Sequence, residues 1–163
     1  MRKIGLNPED FVGTLSIKEF LESIDKNFLA ESSISIREEL KKLGFCEKEL
    51  QLVNECLTEN KCFKVVAAPQ LYFANLRRIV EQFVKHRSKV SRLIPKEDKF
   101  SNKVSTLVRQ GVIPETIERD LIYIWKKTSK YLHGPLDLPS ELILRDFIIC
   151  QKMLLDILKR FVY

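Results

Sequence analysis

The sequence predicts an all-α fold: a helical bundle with an additional N-terminal helical segment. Apolar residues recur at three- and four-residue spacing along almost the whole chain. Hydrophobic residues make up 45% and charged residues 31%, with only five glycines in 163 residues, which describes a folded helical chain rather than a disordered one. The length suits one domain able to bury a core without disulfides or metal.

The elements follow in order. SIKEFLESIDKNFL, Ser16 to Leu29, aligns Ile17, Phe20, Leu21, Ile24 and Phe28, with Ser16 as N-cap and Glu19 completing a capping box. ISIREELKKLGF is a second helix stopped by Gly44, and CEKELQLVNECL a third reaching about Asn60. KCFKVVAA reads as a brief strand or an extended connector, because Val65 and Val66 favour β structure. Beyond Pro69, LYFANLRRIVEQFVKHR puts Leu71, Phe73, Leu76, Ile79, Val80 and Phe83 on one face of a helix of about five turns. SKVSRLIPKEDK is a loop or short helix, and FSNKVSTLVRQG a helix closed by Gly111. VIPETIERDLIYIWKKTSKYLHG opens a long helix with Pro114, Glu115 and Glu118 at its start. LPSELILRDFIICQKMLLDILKRFVY closes the chain. It is apolar around more than half its girth, which calls for a central position or a subunit interface.

Charge divides the chain. Residues 1–63 hold nine Lys/Arg against twelve Asp/Glu, a net −3, and residues 64–163 hold nineteen against ten, a net +9. The first part reads as an acidic helical extension packed on the core, the second as the bundle proper, both within one structural domain. Cations are densest from Arg77 to Arg109, with ten against three acids. That asymmetry suits a polyanion partner such as nucleic acid, although a solvated lysine-rich surface has the same composition.

Cys46, Cys56, Cys62 and Cys150 match no disulfide framework or zinc spacing and read as buried or half-buried thiols. No metal or cofactor is expected. A Gly-rich phosphate loop, a nucleophile elbow and a His-Glu-x-x-His pair are all missing, which sets aside nucleotide hydrolases, serine hydrolases and zincins. No apolar run is long enough to cross a bilayer and the start does not resemble a signal peptide, so a cytoplasmic, non-membrane protein is expected.

The chemistry concentrates in IWKKTSKYLHG, Ile124 to Gly134. A core stripe of Leu121, Ile124, Trp125, Thr128 and Leu132 leaves a second face with Ile122, Lys126, Ser129, Lys130 and His133. Lys126 and His133, seven residues apart, project in nearly the same direction with Ser129 between them. An imidazole that moves a proton and a cation that stabilises developing charge suit phosphodiester chemistry. A histidine at a helix end beside Gly134-Pro135 also commonly serves the last carbonyls. Elsewhere Arg77 or Arg78 pairs with Glu81 across a turn or contacts RNA, and His86 reads as a surface histidine. Trp125 reads as packing, while Tyr131, off the stripe, is free to stack on a base.

Residues 68–163 resemble the HEPN superfamily: an ANLRRIVEQFVKH helix with an acid on its polar side, a basic connector, then KFSNKVSTLVRQGVIPETIERDLIYIWKKTSKYLHG and a long apolar last helix. The phrase GVIPE before a helix ending in Tyr-Leu-His-Gly is similar to branches found beside defence and toxin–antitoxin modules. The resemblance implies a HEPN-like helical bundle that pairs as a homodimer and cuts RNA without metal, through the ribose 2′-hydroxyl. It makes His133 the motif histidine, puts Ser129 or Lys130 in the polar position and Glu81 in that of the acid. The expected arginine is absent; Thr128, Lys127 or Lys126 occupies its window, and helical geometry favours Lys126. Lysine keeps the charge but lacks the planar fork that orients a phosphate.

The expected site is therefore His133, Lys126, Glu81 and Ser129, with Lys127, Lys130, Tyr131, Arg77 and Arg78 on RNA. The expected function is metal-independent RNA cleavage or RNA binding without cleavage. The alternative is a non-catalytic protein-interaction or regulatory module with a cognate protein partner.

Overall fold

A computed structural model describes residues 27–57, 62–93, 95–96, 99–133 and 137–162. These form seven helices, and no strand occurs among them. In chain order they are α1 (Phe28–Lys42), α2 (Glu47–Leu57), α3 (Cys62–Ala67), α4 (Pro69–Ser91), α5 (Phe100–Arg109), α6 (Glu115–His133) and α7 (Ser140–Val162). The helix predicted from Ser16 lies outside the described residues as far as Lys26, and α1 already begins at Phe28.

The bundle is built around α7. Ile143, Phe147, Ile148, Ile149, Cys150, Met153, Leu154, Ile157 and Leu158 are all buried, so its apolar girth is covered within the chain. Its neighbours are α1, α6, α3 and α4. The dock with α1 has a polar clamp at its centre. Gln151 Nε2 donates to the Leu29 carbonyl at 3.0 Å and to the Ser32 and Ser33 hydroxyls at 2.7 and 3.2 Å. Those hydroxyls themselves donate to the carbonyls of Phe28 and Leu29, so the buried polar atoms are satisfied by one another.

The KCFKVVAA segment is helical over Cys62–Ala67 rather than extended. Val65 is fully buried and the short helix packs on α7 and α4. Burying a valine stabilises by roughly 1.5–3 kcal/mol, more than the few tenths by which a β-branched residue disfavours a helix.

Three helices end alike. At each, an amide two or three residues past the end reaches back five residues and the preceding amide three, which is the Schellman arrangement: Phe45 to Leu40 with Gly44 to Lys41, Leu93 to Ser88 with Arg92 to Lys89, and Val112 to Leu107 with Gly111 to Val108. The pivot residue takes a left-handed conformation, at φ 94° for Gly44 and 75° for Gly111. At the end of α4 the pivot is Arg92, at φ 61°.

The junction of α1, α2 and α4 corrects the reading of His86. It is 5% exposed, its Nδ1 lies 3.1 Å from Glu49 Oε2, its Nε2 lies 3.2 Å from the Leu43 carbonyl, and its ring lies 4.3 Å from Phe45. Its partners come from α2 and from the turn after α1, more than thirty residues away in sequence, where helix periodicity gives no warning of them. Burial raises the Glu49 carboxyl, but the Cys46 amide and His86 outweigh it and hold the group below its usual range.

Candidate functional site

α6 carries most of the candidate residues and is rotated relative to the expected stripe. Ile117, Leu121, Ile124, Thr128 and Tyr131 face the core, while Trp125 and Leu132 are half-buried on the flank. The outer face keeps Lys126, Lys130 and His133 exposed, with Ser129 half-buried between them. Lys126 and His133 lie about 10 Å apart along the axis and within about 20° in direction.

Tyr131 is fully buried and is unavailable to a base, contrary to the expectation. Its ring stacks on Phe73 at 4.0 Å between centroids and 1° between planes, and Phe147 meets Phe73 edge-on at 5.2 Å. Its hydroxyl donates to Asp146 Oδ2 at 2.5 Å, and Asp146 is 2% exposed. Burial, followed by Asp146, pushes the phenol far above its ordinary value, so it remains a donor. Burial and then Asp146 push the Cys150 thiol up as well.

Asp146 also draws in Lys127, whose Nζ lies 3.9 Å from Oδ2, and accepts from Arg145 at 3.4 Å. Lys127 is thereby half-buried on the inner flank. In the window where the resemblance expects arginine, Thr128 is buried and donates to the Trp125 carbonyl, and Lys127 leans on Asp146. Lys126 alone of the three is exposed.

Glu81 is not brought to His133. It pairs with Arg77 at 3.7 Å, and the Arg77 guanidinium lies 3.9 Å over the Trp125 ring. Trp125 precedes His133 by two turns, about 12 Å along α6. The other face of the indole is stacked by Phe100 at 4.0 Å and 10°. Arg78 is exposed, and Lys130 Nζ lies 6.0 Å from the buried Tyr131 ring.

Beside Trp125 opens a cleft of about 860 Å³ between α4, α5 and Pro95. Four cations line it, Lys85, Lys89 and Arg92 from the end of α4 and Lys103 from α5. Among the described residues Glu81 is the only acid in its wall. Sequence reasoning located the cation-dense segment but assigned only Arg77 and Arg78 to a ligand. The spacing of Lys85 and Lys89 on one helical face was a readable signal; the approach of Arg92 and Lys103 was not, since the one sits at a left-handed turn and the other depends on how α5 packs.

No three His, Cys, Asp or Glu side chains converge as metal ligands among the described residues, and none of their helices is long and apolar enough to cross a membrane. Comparison with family models, curated proteins and solved structures found no match.

Proposed function

We propose that the protein is an RNA-directed, HEPN-like domain of the defence or toxin–antitoxin type, with the outer face of α6 as its cutting edge. The observation that carries this reading is the exposure of Lys126 and His133 on one face, with Ser129 between them, on a helix anchored in the core by Tyr131 and Ile124. In the reaction, the ribose 2′-hydroxyl attacks the adjacent phosphorus, and the bond to the leaving 5′-oxygen breaks. His133 removes the proton from the nucleophile or supplies one to the leaving oxygen. Lys126 stabilises the charge gathering on the phosphoryl oxygens. The products carry a 2′,3′-cyclic phosphate and a 5′-hydroxyl. A homodimer formed through this face supplies the second imidazole.

Incubation of the protein with transfer RNA and total RNA in EDTA tests the proposal. Fragments with cyclic phosphate ends that disappear with His133→Ala support it; intact RNA at every pH refutes cleavage. A second reading, RNA binding without cleavage, is favoured by lysine standing where the resemblance expects arginine. It predicts salt-sensitive binding by wild type and His133→Ala alike, with no fragments.

A further inference from the structure

We infer that the cleft beside Trp125 binds one unpaired nucleotide of an RNA strand, with its base inward and its phosphates on the rim. The inference rests on the RNA reading above and adds where, and by what chemistry, the strand is held.

The wall of the cleft is of two kinds. Val84, Pro95, Phe100 and the edge of Trp125 supply apolar surface, and Lys85, Lys89, Arg92 and Lys103 supply charge. An inorganic anion satisfies the cations but leaves the apolar floor wet; a neutral apolar molecule does the reverse. A flat ring joined to a phosphodiester satisfies both.

The dimensions agree. About 860 Å³ falls inside the range of roughly 300–1,000 Å³ in which small organic ligands bind. Lys85 and Lys89 lie one turn apart on α4, Arg92 follows at its left-handed end, and Lys103 approaches from α5. Cations from two helices therefore face one space. Glu81 and Gln82 supply hydrogen-bonding groups suited to the edge of a base.

The state of Trp125 sets the mode of contact. Phe100 covers one face of the indole and Arg77 the other, so a base meets ring edges and Val84 rather than stacking on the indole. A paired base cannot enter, since its edge is occupied and its faces are stacked, so the cleft selects single strands.

Trp125 is the only tryptophan, so its fluorescence reports on this cleft. The full chain is titrated with a short labelled oligouridylate, with an RNA duplex and with inorganic phosphate. Tryptophan emission and label anisotropy are followed together. The expected result is a saturable emission change in step with anisotropy for the single strand, binding at least about tenfold weaker for the duplex, and no emission change with phosphate. A Lys85→Ala/Lys103→Ala variant with an unchanged circular dichroism spectrum lowers the slope of log affinity against log salt by about 1.4, two single-strand phosphate contacts. If anisotropy rises while emission is silent and the double variant binds as wild type does, the cleft assignment fails and the RNA reading stands. Equal duplex binding, or a matching response to phosphate alone, also overturns the assignment. If no RNA changes anisotropy, the RNA reading falls and takes this inference with it.

Discussion

His86 and His133 are the chain's two histidines, and the fold surrounds them in opposite ways. His86 has an acceptor at each ring nitrogen and an aromatic neighbour, and it ties α4 to α2 and to the turn before it. His133 is exposed at the end of α6. The same residue type serves cohesion in one region and is left open to solvent in the other. Polar groups here divide by partner: those that meet a second polar group inside, such as His86, Tyr131 and Gln151, hold helices together, and those on the outer face of α6, such as Lys126 and His133, face solvent.

The sharpest way to break that division is His133→Ala. On the cleavage reading proposed above, activity falls by about 10²–10⁴-fold, the usual range for a positioned acid–base group, while the melting curve stays within about 0.5 kcal/mol of wild type. Loss of stability comparable to that of an interior variant would erase the distinction. Asp146→Ala comes next. It strips the buried Tyr131 hydroxyl of its acceptor and Lys127 and Arg145 of their carboxylate, and costs about 3 kcal/mol in urea denaturation. His86→Ala is smaller. It leaves a cavity against Phe45 and unpairs Glu49 for a loss of about 2 kcal/mol, and cleavage per folded molecule is unchanged.

The smallest effect concerns acid. The Glu49 carboxyl is held below its usual value, so its contribution to stability is complete above the unfolded value of about 4.5 and is lost as pH falls through the lower folded value. Glu49→Gln therefore flattens the acid limb of the stability curve by lowering its neutral part, because the contribution that acid removes from wild type is missing from the variant at every pH. An acid limb identical to wild type places the acid sensitivity elsewhere.

These contrasts also mark what was legible in the sequence. The major helices were readable from periodicity, because Leu, Ile and Phe at three- and four-residue spacing have one way to meet a core. The short α3 was not, since its valines favour a strand and only the packing of the segment on α7 and α4 overrides that preference. On α6 the spacing pattern put Trp125 in the core and Tyr131 outside. A phenol enters a core only if its hydroxyl finds a partner, and Asp146 lies fifteen residues away on α7. His86 was misread for the same reason, with Glu49 thirty-seven residues distant. Of the candidate site, Lys126, Ser129 and His133 share a face because a single helix dictates it. Glu81 belongs to another element: its pairing with Arg77 across one turn of α4 was readable from the sequence, whereas its separation from that face depended on how α4 packs.

The left-handed pivot at Arg92 bears on how such a chain can change over time. Its two counterparts, Gly44 and Gly111, adopt that conformation without steric cost, whereas a residue with a side chain gives up roughly 1–2 kcal/mol there. The change to glycine is thus an easy gain in robustness that the chain has not taken, and the side chain it would delete is one of the cations at the cleft. Drift toward a hardier molecule runs through the loss of that cation, so a lineage whose cleft binds no anion would harden at this turn, and one that binds an anion there would keep the strain.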